Sequence, residues 1–244
     1  NQDVKLAETR QSISALSLFG YKPDYIYQKI PYNENRINKY LNQLNWKYPW
    51  GAGSHFSHLL YFLYYYNFKK KDELIQYAID WINKIQKSTD GFWYKGNTST
   101  QQKINGAMKI ITGLKVVDKV NFNYAEKIID NVLAAKNDEQ ACDNFNIVYV
   151  LKYCNEITKR KHRFSEIADF MYDRLDIYKE YYFSDIGGFS FMKNKANGTY
   201  YGALITKGKN EPDIHGTVMF IWGISIIAQI LDLNNKLQFN EFIT

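Results

Sequence analysis

The chain has 244 residues, of which 45% are hydrophobic and 23% are charged, and its formal net charge is +6. This apolar content can form a large core, and four prolines without a Pro-, Gly- or Ser-rich linker favour one domain over residues 1–244. The positive charge collects in two runs, residues 69–71 and 159–163, which lack the interleaved aromatics of an RNA- or DNA-binding module. We therefore expect no nucleic-acid partner.

Apolar residues recur at helical spacing along most of the chain, beginning with a first helix at residues 6–19. Residues 57–66 are apolar on every side, which predicts an inner helix surrounded by neighbours, whereas residues 73–86 carry one apolar stripe and predict an outer helix that faces water. Further inner helices are predicted near residues 105–117, 144–153 and 217–231, and further outer helices near residues 37–44, 123–133 and 164–178. This alternation predicts an all-α fold, an α/α toroid of two concentric helical rings, in preference to an α-solenoid.

Two glycine–aromatic turns, Gly91-Phe92-Trp93 and Gly187-Gly188-Phe189, each precede a predicted inner helix. Each of these helices opens with a polar residue before a glycine, at Asn105-Gly106 and at Asp213-Ile214-His215-Gly216. The repetition indicates that one helical-pair unit is used twice. A short β-hairpin is also expected near residues 189–204, with Asn197-Gly198 as its turn.

The turns and the polar–glycine helix starts resemble the repeats of the terpenoid cyclase and protein prenyltransferase α/α-toroid superfamily over residues 50–232. The acidic motifs of that superfamily's isoprenoid chemistry are missing. Its protein prenyltransferases bind zinc through an Asp-x-Cys pair and a distant histidine, whereas this chain has Cys142-Asp143 in the opposite order, with His215 downstream. The resemblance thus implies the fold. Other α/α toroids, including glycoside hydrolases and polysaccharide lyases, bind sugars at the mouth of the ring.

Polar side chains cluster at the starts of the predicted inner helices, which a toroid brings together at one end of its funnel. Three of the four histidines, His55, His58 and His215, lie at these starts. N-capping explains an aspartate at a helix start, but an aspartate beside a histidine also forms a general acid–base pair. The predicted catalytic residues are His215, Asp213, His55 and Asp143.

Further residues near these helix ends are predicted to bind substrate: Trp50, Trp93, Tyr94, Lys103, Asn105, Asn144, Asn146, Tyr200 and Tyr201. The aromatic members would stack on sugar rings, with core packing as the alternative. In a lyase, Asn144 or Asn146 would neutralise a uronate carboxylate; in a hydrolase, Asp143 and Asp213 would be the paired carboxylates. The long connection at residues 193–212 is expected to form a lid or hairpin across the funnel.

The leading hypothesis is a carbohydrate-active enzyme, a glycan hydrolase or lyase of bacterial polysaccharide metabolism. An isoprenoid-type transferase or cyclase and a non-catalytic glycan-binding or scaffolding domain are the alternatives. No cofactor is expected. Zinc is the weaker interpretation of His55 and His58, which share one helix face and would need Cys142, Asp143 or His215 as further ligands.

Two cysteines, Cys142 and Cys154, are predicted on one helix and therefore about 18 Å apart, too far for a disulfide. This pattern and the lack of a signal peptide predict a cytoplasmic protein. The longest apolar stretch, residues 218–231, is too short to cross a bilayer. The chain begins at Asn1 without a methionine, so a further domain upstream is expected.

Overall fold

A computed structural model describes residues 2–21, 27–66 and 69–239 of the protein. Over these residues the fold is all-α, with ten helices and two small two-stranded sheets. The chain divides into two compact units, with the boundary between Tyr124 and Ala125. The all-α prediction with a short hairpin is confirmed, whereas the α/α toroid, as an incomplete double ring of helical hairpins, and the single domain stay predictions. In the described ranges no helix combines the length and apolar character needed to cross a membrane.

Unit 1 is built around two long helices that pack side by side, α3 and α5. Its helices are α1 (Gln2–Leu18), α2 (Glu34–Gln43), α3 (Pro49–Tyr65), α4 (Lys71–Ile85) and α5 (Thr100–Val116). Glycines let the α3 and α5 backbones approach closely. A Cβ added to Gly106 would lie 2.7 Å from the Pro49 side chain, and one added to Gly113 would lie 2.9 Å from the Cα of Ser57. The glycines of this pair therefore set the distance between the two helices.

The first glycine–aromatic turn connects α4 to α5. Gln86 and Trp93 form an isolated antiparallel bridge across it, and Gly91 supplies the positive φ of 84° that the turn requires. The helix that follows begins at Thr100, with Ser99 as its N-cap, rather than at Asn105. Asn105 is fully buried in the interior of α5, so its predicted place at the helix start was wrong.

Unit 2 is built around a second pair of long helices, α7 and α9. Its helices are α6 (Ala125–Leu133), α7 (Ala141–Ile157), α8 (Phe164–Lys179), α9 (Ile214–Ile230) and the short α10 (Asn234–Leu237). Its strands are β1 (Tyr182–Phe183), β2 (Gly188–Phe189), β3 (Thr199–Tyr200) and β4 (Ala203–Leu204). α6 and α8 each pack against α7 with one apolar face, as their amphipathic patterns predict.

Two antiparallel strand pairs occupy the connection between α8 and α9. Phe189 pairs with Tyr182, so it does not belong to the hairpin that ends at Leu204. That hairpin pairs Thr199 with Leu204, and its turn is Tyr201-Gly202, where both residues have positive φ (48° and 84°) as in a type I′ turn. The predicted turn at Asn197-Gly198 was therefore placed too early in the chain.

Both units follow the same order: a long buried helix, an amphipathic helix, a short β pairing and a second long buried helix. The four long helices, α3, α5, α7 and α9, have 17 residues each. The units differ in the connection between the β pairing and the second long helix, which covers residues 94–99 before α5 in unit 1 and residues 190–213 before α9 in unit 2. Two residues of the longer connection contact the N-cap of α9, since the backbone N–H groups of Phe191 and Asn197 donate to Asp213.

Candidate active site

His215, the second residue of α9, has a neighbour at each of its two ring nitrogens. The side-chain amide nitrogen of Asn197 lies 3.0 Å from Nδ1, and the Cys142 Sγ lies 3.6 Å from Nε2. Cys142 is the second residue of α7, and the residue is partly exposed. Because α7 and α9 pack against each other, their first turns bring a thiol and an imidazole into contact.

Aromatic rings flank the imidazole. The ring centroid of Phe191 lies 4.5 Å from that of His215, and the Tyr200 ring stands edge-on to the imidazole at 5.6 Å. Tyr201 packs against Tyr200 at 4.7 Å. Both tyrosines retain exposed surface, 42% for Tyr200 and 49% for Tyr201. The structure therefore brings three of the predicted residues, His215, Tyr200 and Tyr201, into one cluster.

Asp213, predicted as a catalytic carboxylate, caps α9 instead. Its Oδ1 accepts a hydrogen bond from the backbone N–H of Gly216 (2.9 Å), and its Oδ2 accepts from the backbone N–H groups of Phe191 (2.8 Å) and Asn197 (3.0 Å). The carboxylate thus fastens two segments of the long connection beside His215. These bonds assign Asp213 a positioning role in place of the predicted proton transfer.

The predicted polar residues of α7 lie in the interior of unit 2. Asp143 and Asn144 are fully buried, and Asn146 is 3% exposed. The Asn144 side-chain amide donates to the backbone carbonyls of Asp138 (3.2 Å) and Gln140 (3.1 Å), which shapes the loop before α7. Because a substrate cannot reach groups with so little exposed surface, the predicted roles of Asp143, Asn144 and Asn146 at a substrate are corrected to structural ones.

The remaining predicted residues belong to unit 1. The Lys103 Nζ lies 2.8 Å from an Asp90 carboxylate oxygen and 4.4 Å from the centre of the Tyr94 ring, and the Tyr94 hydroxyl donates to Asp90 (2.9 Å). Burial lowers the pKa of Lys103, but the hydrogen bonds to Asp90 and Tyr94 outweigh it and leave this pKa raised. Lys103 is therefore a structural cation rather than a proton donor near neutral pH.

The other unit 1 residues have local partners as well. His55 places Nδ1 2.9 Å from the Tyr40 hydroxyl, and the Trp50 backbone N–H donates to the Gln102 side chain (3.3 Å). Trp93 is 1% exposed and packs edge-on against Phe122 at 5.1 Å. The expected place of Trp93 at a substrate rim was therefore wrong, and so was that of the buried Asn105.

A different polar residue of unit 1, His58, is mostly buried, and its Nδ1 has no hydrogen-bond partner. Burial lowers the pKa of His58 from 6.5 to about 3, and the charges of Arg10, His55 and Lys109 add to this effect. His58 is consequently neutral at physiological pH. Across the described parts of the chain, no three His, Cys, Asp or Glu side chains are grouped so that they could hold a metal ion.

Three neighbours of His215 were not predicted as site residues: Cys142, Asn197 and Phe191. From the sequence, Cys142 is a conceivable zinc ligand and a thiol too far from Cys154 for a disulfide, and Asn197 is a turn residue. One feature of the sequence could have pointed to Asn197 as a site residue. It lies in an unusually long connection before a helix that has a histidine at its second position.

Comparisons with known proteins leave the function open. No family model matches the chain, and neither the curated proteins nor the solved structures contain a significant match. The geometry around His215 is therefore the basis for assigning a function.

Proposed function

We propose that the protein is a carbohydrate-active enzyme in which His215 transfers the proton. The observation that carries this proposal is the imidazole held at both nitrogens, by Asn197 at Nδ1 and by Cys142 at Nε2, beside partly exposed tyrosines. Histidine is the side chain best suited to acid–base work near neutral pH, and an oriented imidazole is the usual arrangement for that work.

The tyrosines support the choice of a carbohydrate as substrate. An aromatic face with a hydroxyl at its edge suits a polyhydroxylated ring, since it offers apolar stacking and a hydrogen bond together. Tyr200 and Tyr201 present such surfaces at the tip of the β3–β4 hairpin, and the Tyr200 ring reaches to 5.6 Å from the imidazole. A sugar stacked on Tyr200 would place its substituents near His215.

The kind of reaction that we propose depends on where the predicted carboxylates and asparagines lie. A hydrolase with Asp143 and Asp213 as paired carboxylates is not supported, because the first is fully buried and the second binds three backbone N–H groups. A lyase with Asn144 or Asn146 at a uronate carboxylate is not supported either, because both side chains are buried. In the reaction that remains, the neutral imidazole of His215 accepts a proton from a nucleophile and the imidazolium returns it to a leaving oxygen.

The test is a panel of neutral, uronate-containing and O-acylated polysaccharides incubated with the purified protein. New reducing ends, unsaturated uronates and released carboxylic acids are measured in parallel. We expect one of these products, and we expect His215→Gln to lower its rate about a hundredfold or more. His162→Gln is the matched control, because His162 also lies in unit 2 but pairs with Asp130 at 2.8 Å, and it should keep the activity.

Two results would overturn the proposal. Binding on a glycan array without any product would assign the protein to the non-catalytic glycan-binding class. Turnover that His215→Gln and His162→Gln leave equally unchanged would remove His215 from the reaction.

A further inference from the structure

We propose that Cys142 is the nucleophile of this site and that the reaction transfers an acyl group from an ester or amide through a thioester on Cys142. The inference rests on the proposed acid–base role of His215, but it does not depend on a carbohydrate substrate. Acyl transfer through a thioester is a reaction that the predicted carboxylates, Asp143 and Asp213, and the buried asparagines, Asn144 and Asn146, cannot supply.

The thiol is in place for this chemistry. The Cys142 Sγ is 3.6 Å from the His215 Nε2, which is within hydrogen-bonding range for sulfur, and the side chain is partly exposed. Cys142 also lies in the first turn of α7, where the backbone amides and the helix dipole favour negative charge on a thiolate or on the oxygen of an attacked carbonyl.

The second cysteine of α7, Cys154, is a structural thiol in the core and provides a comparison for Cys142. Cys154 is fully buried, and burial raises the pKa of its thiol far above the usual range. Its surroundings in the core favour the protonated, unreactive form. One helix thus carries a thiol in contact with an imidazole and a thiol in the core, so Cys154 serves as an internal control.

Asn197 is the positioning residue of the proposed site. Its backbone N–H donates to Asp213 (3.0 Å), and its backbone carbonyl accepts from the Thr206 hydroxyl (2.9 Å), so the residue is held on both sides of its side chain. A side-chain amide can present either its oxygen or its nitrogen to an imidazole. With the oxygen toward Nδ1–H of His215, the Nε2 lone pair faces the Cys142 thiol, which is the tautomer that a general base requires.

The proposed steps balance as follows. His215 Nε2 takes the thiol proton, the Cys142 sulfur attacks the acyl carbon, and the resulting imidazolium protonates the leaving alcohol or amine as its bond to the acyl carbon breaks. Water, or an acceptor alcohol, then gives its proton to His215 and attacks the thioester carbon. The bond between the acyl carbon and the Cys142 sulfur breaks as the imidazolium returns the proton to sulfur, so the products are a carboxylic acid or a new ester and the free thiol.

The first experiment measures the rate at which iodoacetamide alkylates each cysteine at about pH 6.5, where an isolated thiol is largely protonated. Peptide mass spectrometry follows Cys142 and Cys154 separately in the wild type, in His215→Gln and in the control His162→Gln. We expect Cys142 to react about tenfold faster in the wild type and in His162→Gln than in His215→Gln, with Cys154 unmodified. Equal Cys142 rates in all three proteins would overturn the proposal.

The role of Asn197 is tested in the same assay. Asn197→Ala should lower the alkylation rate of Cys142 about threefold to tenfold, and Asn197→Asp, which still accepts from Nδ1–H, should restore it. Thermal unfolding of both variants separates this effect from a loss of the fold. An Asn197→Asp variant as slow as Asn197→Ala, with wild-type stability, would refute the positioning role.

The second experiment uses p-nitrophenyl acetate as the acyl donor. We expect a burst of nitrophenol and an acetyl group on Cys142 in the wild-type protein, and neither in Cys142→Ser. Acetylation of lysines alone would overturn the proposal. An acetylated Cys142 in a protein that yields no glycan product would refute only the carbohydrate substrate, whereas glycan turnover that persists in Cys142→Ser would refute only the nucleophile.

Discussion

Units 1 and 2 share an order of elements but differ at the heads of their long helices. The second residues of α3 and α5 are Trp50 and Gln101, whereas the second residues of α7 and α9 are Cys142 and His215. In unit 2 these two side chains meet, while in unit 1 the contact between the helix heads runs from the Trp50 backbone to Gln102.

The helix heads of the two units differ because the connections before the second long helix, α5 in unit 1 and α9 in unit 2, differ in length. In unit 1 the connection before α5 is only residues 94–99. The Lys103–Asp90 ion pair lies near the start of this helix, beside Tyr94. Residues 190–213 make a longer path into α9 and add Asn197 and Tyr200 beside His215. The comparison teaches that the two pairs of long helices offer similar positions at their heads, and that the longer connection of unit 2 adds polar and aromatic neighbours there.

The largest effect is expected from one glycine in each unit, Gly216 in the first turn of α9 and Gly106 in the interior of α5. A Cβ on Gly216 would lie 2.5 Å from backbone atoms of Ser190 and Phe191, and a Cβ on Gly106 would lie 2.8 Å from the backbone of Pro49. Gly216→Ala and Gly106→Ala should each lower the free energy of unfolding by about 3 kcal/mol, measured in urea. Only Gly216→Ala should also slow the alkylation of Cys142.

Gly51→Ala is the control for this pair, since a Cβ at Gly51 meets nothing within 4 Å and the position is an exposed one in α3. It should stabilise the protein by about 0.5–1 kcal/mol. A Gly216→Ala protein as stable as Gly51→Ala would contradict the close approach of α9 to the long connection.

The next largest effect is expected at Asp213, the N-cap of α9, in comparison with Ser99, the N-cap of α5. Asp213→Ala removes the acceptor of three backbone N–H groups and should cost about 2–3 kcal/mol, because those donors lie in a partly buried site. Ser99→Ala removes one bond to Gln102 at an exposed helix start and should cost about 0.5–1 kcal/mol. Urea unfolding of both variants gives the two values, and equal losses would contradict the fastening role of Asp213.

A pH effect is expected in unit 1. The pKa of His58 is about 3 in the folded protein and 6.5 in the unfolded chain, so the unfolded chain binds a proton first as the pH falls. The contribution of a neutral His58 to stability is therefore present above pH 6.5 and is lost between pH 6.5 and 3, by about 2 kcal/mol at pH 5. His58→Gln should remove this slope from the pH dependence of urea unfolding; an unchanged slope would place the protonation elsewhere.

The smallest effect concerns the ion pair of unit 1. Lys103→Met should cost about 1 kcal/mol, because the pair with Asp90 is mostly buried, with side-chain exposures of 21% and 13%. Lys179→Met breaks the exposed pair with Asp176 and should change the stability by less than about 0.5 kcal/mol. Neither variant should alter the alkylation of Cys142, and a change in Lys103→Met would contradict the confinement of the reactive site to unit 2.

The sequence predicted the helices well because apolar periodicity is a local property. The fully apolar stretch that became α3 and the striped segment that became α4 follow from neighbouring residues alone. The start of α5 was missed because Thr100 to Lys103 are polar and carry no periodic signal, although Ser99 is a good cap. Asn105 attracted attention as a polar residue before a glycine and proved to be a buried residue in mid-helix.

The candidate site could be predicted only in part. His215 was found because histidines are rare in this chain and this one stands at a helix start. Its partners could not be found in the same way, since Cys142 is 73 positions away along the chain and Asn197 is 18 positions away, so both contacts depend on tertiary packing. The sequence does not distinguish a polar residue that binds a ligand from one, such as Asn144, that binds a neighbouring backbone carbonyl.

The β3–β4 hairpin has one further consequence. Its base is fastened through Asn197, which binds Asp213 and Thr206, while Tyr200 ends β3 and Tyr201 is the first residue of the two-residue turn. A different hairpin between Gly198 and Ile205 would therefore replace the aromatic surface beside His215 without changing Cys142, Asn197 or His215 themselves.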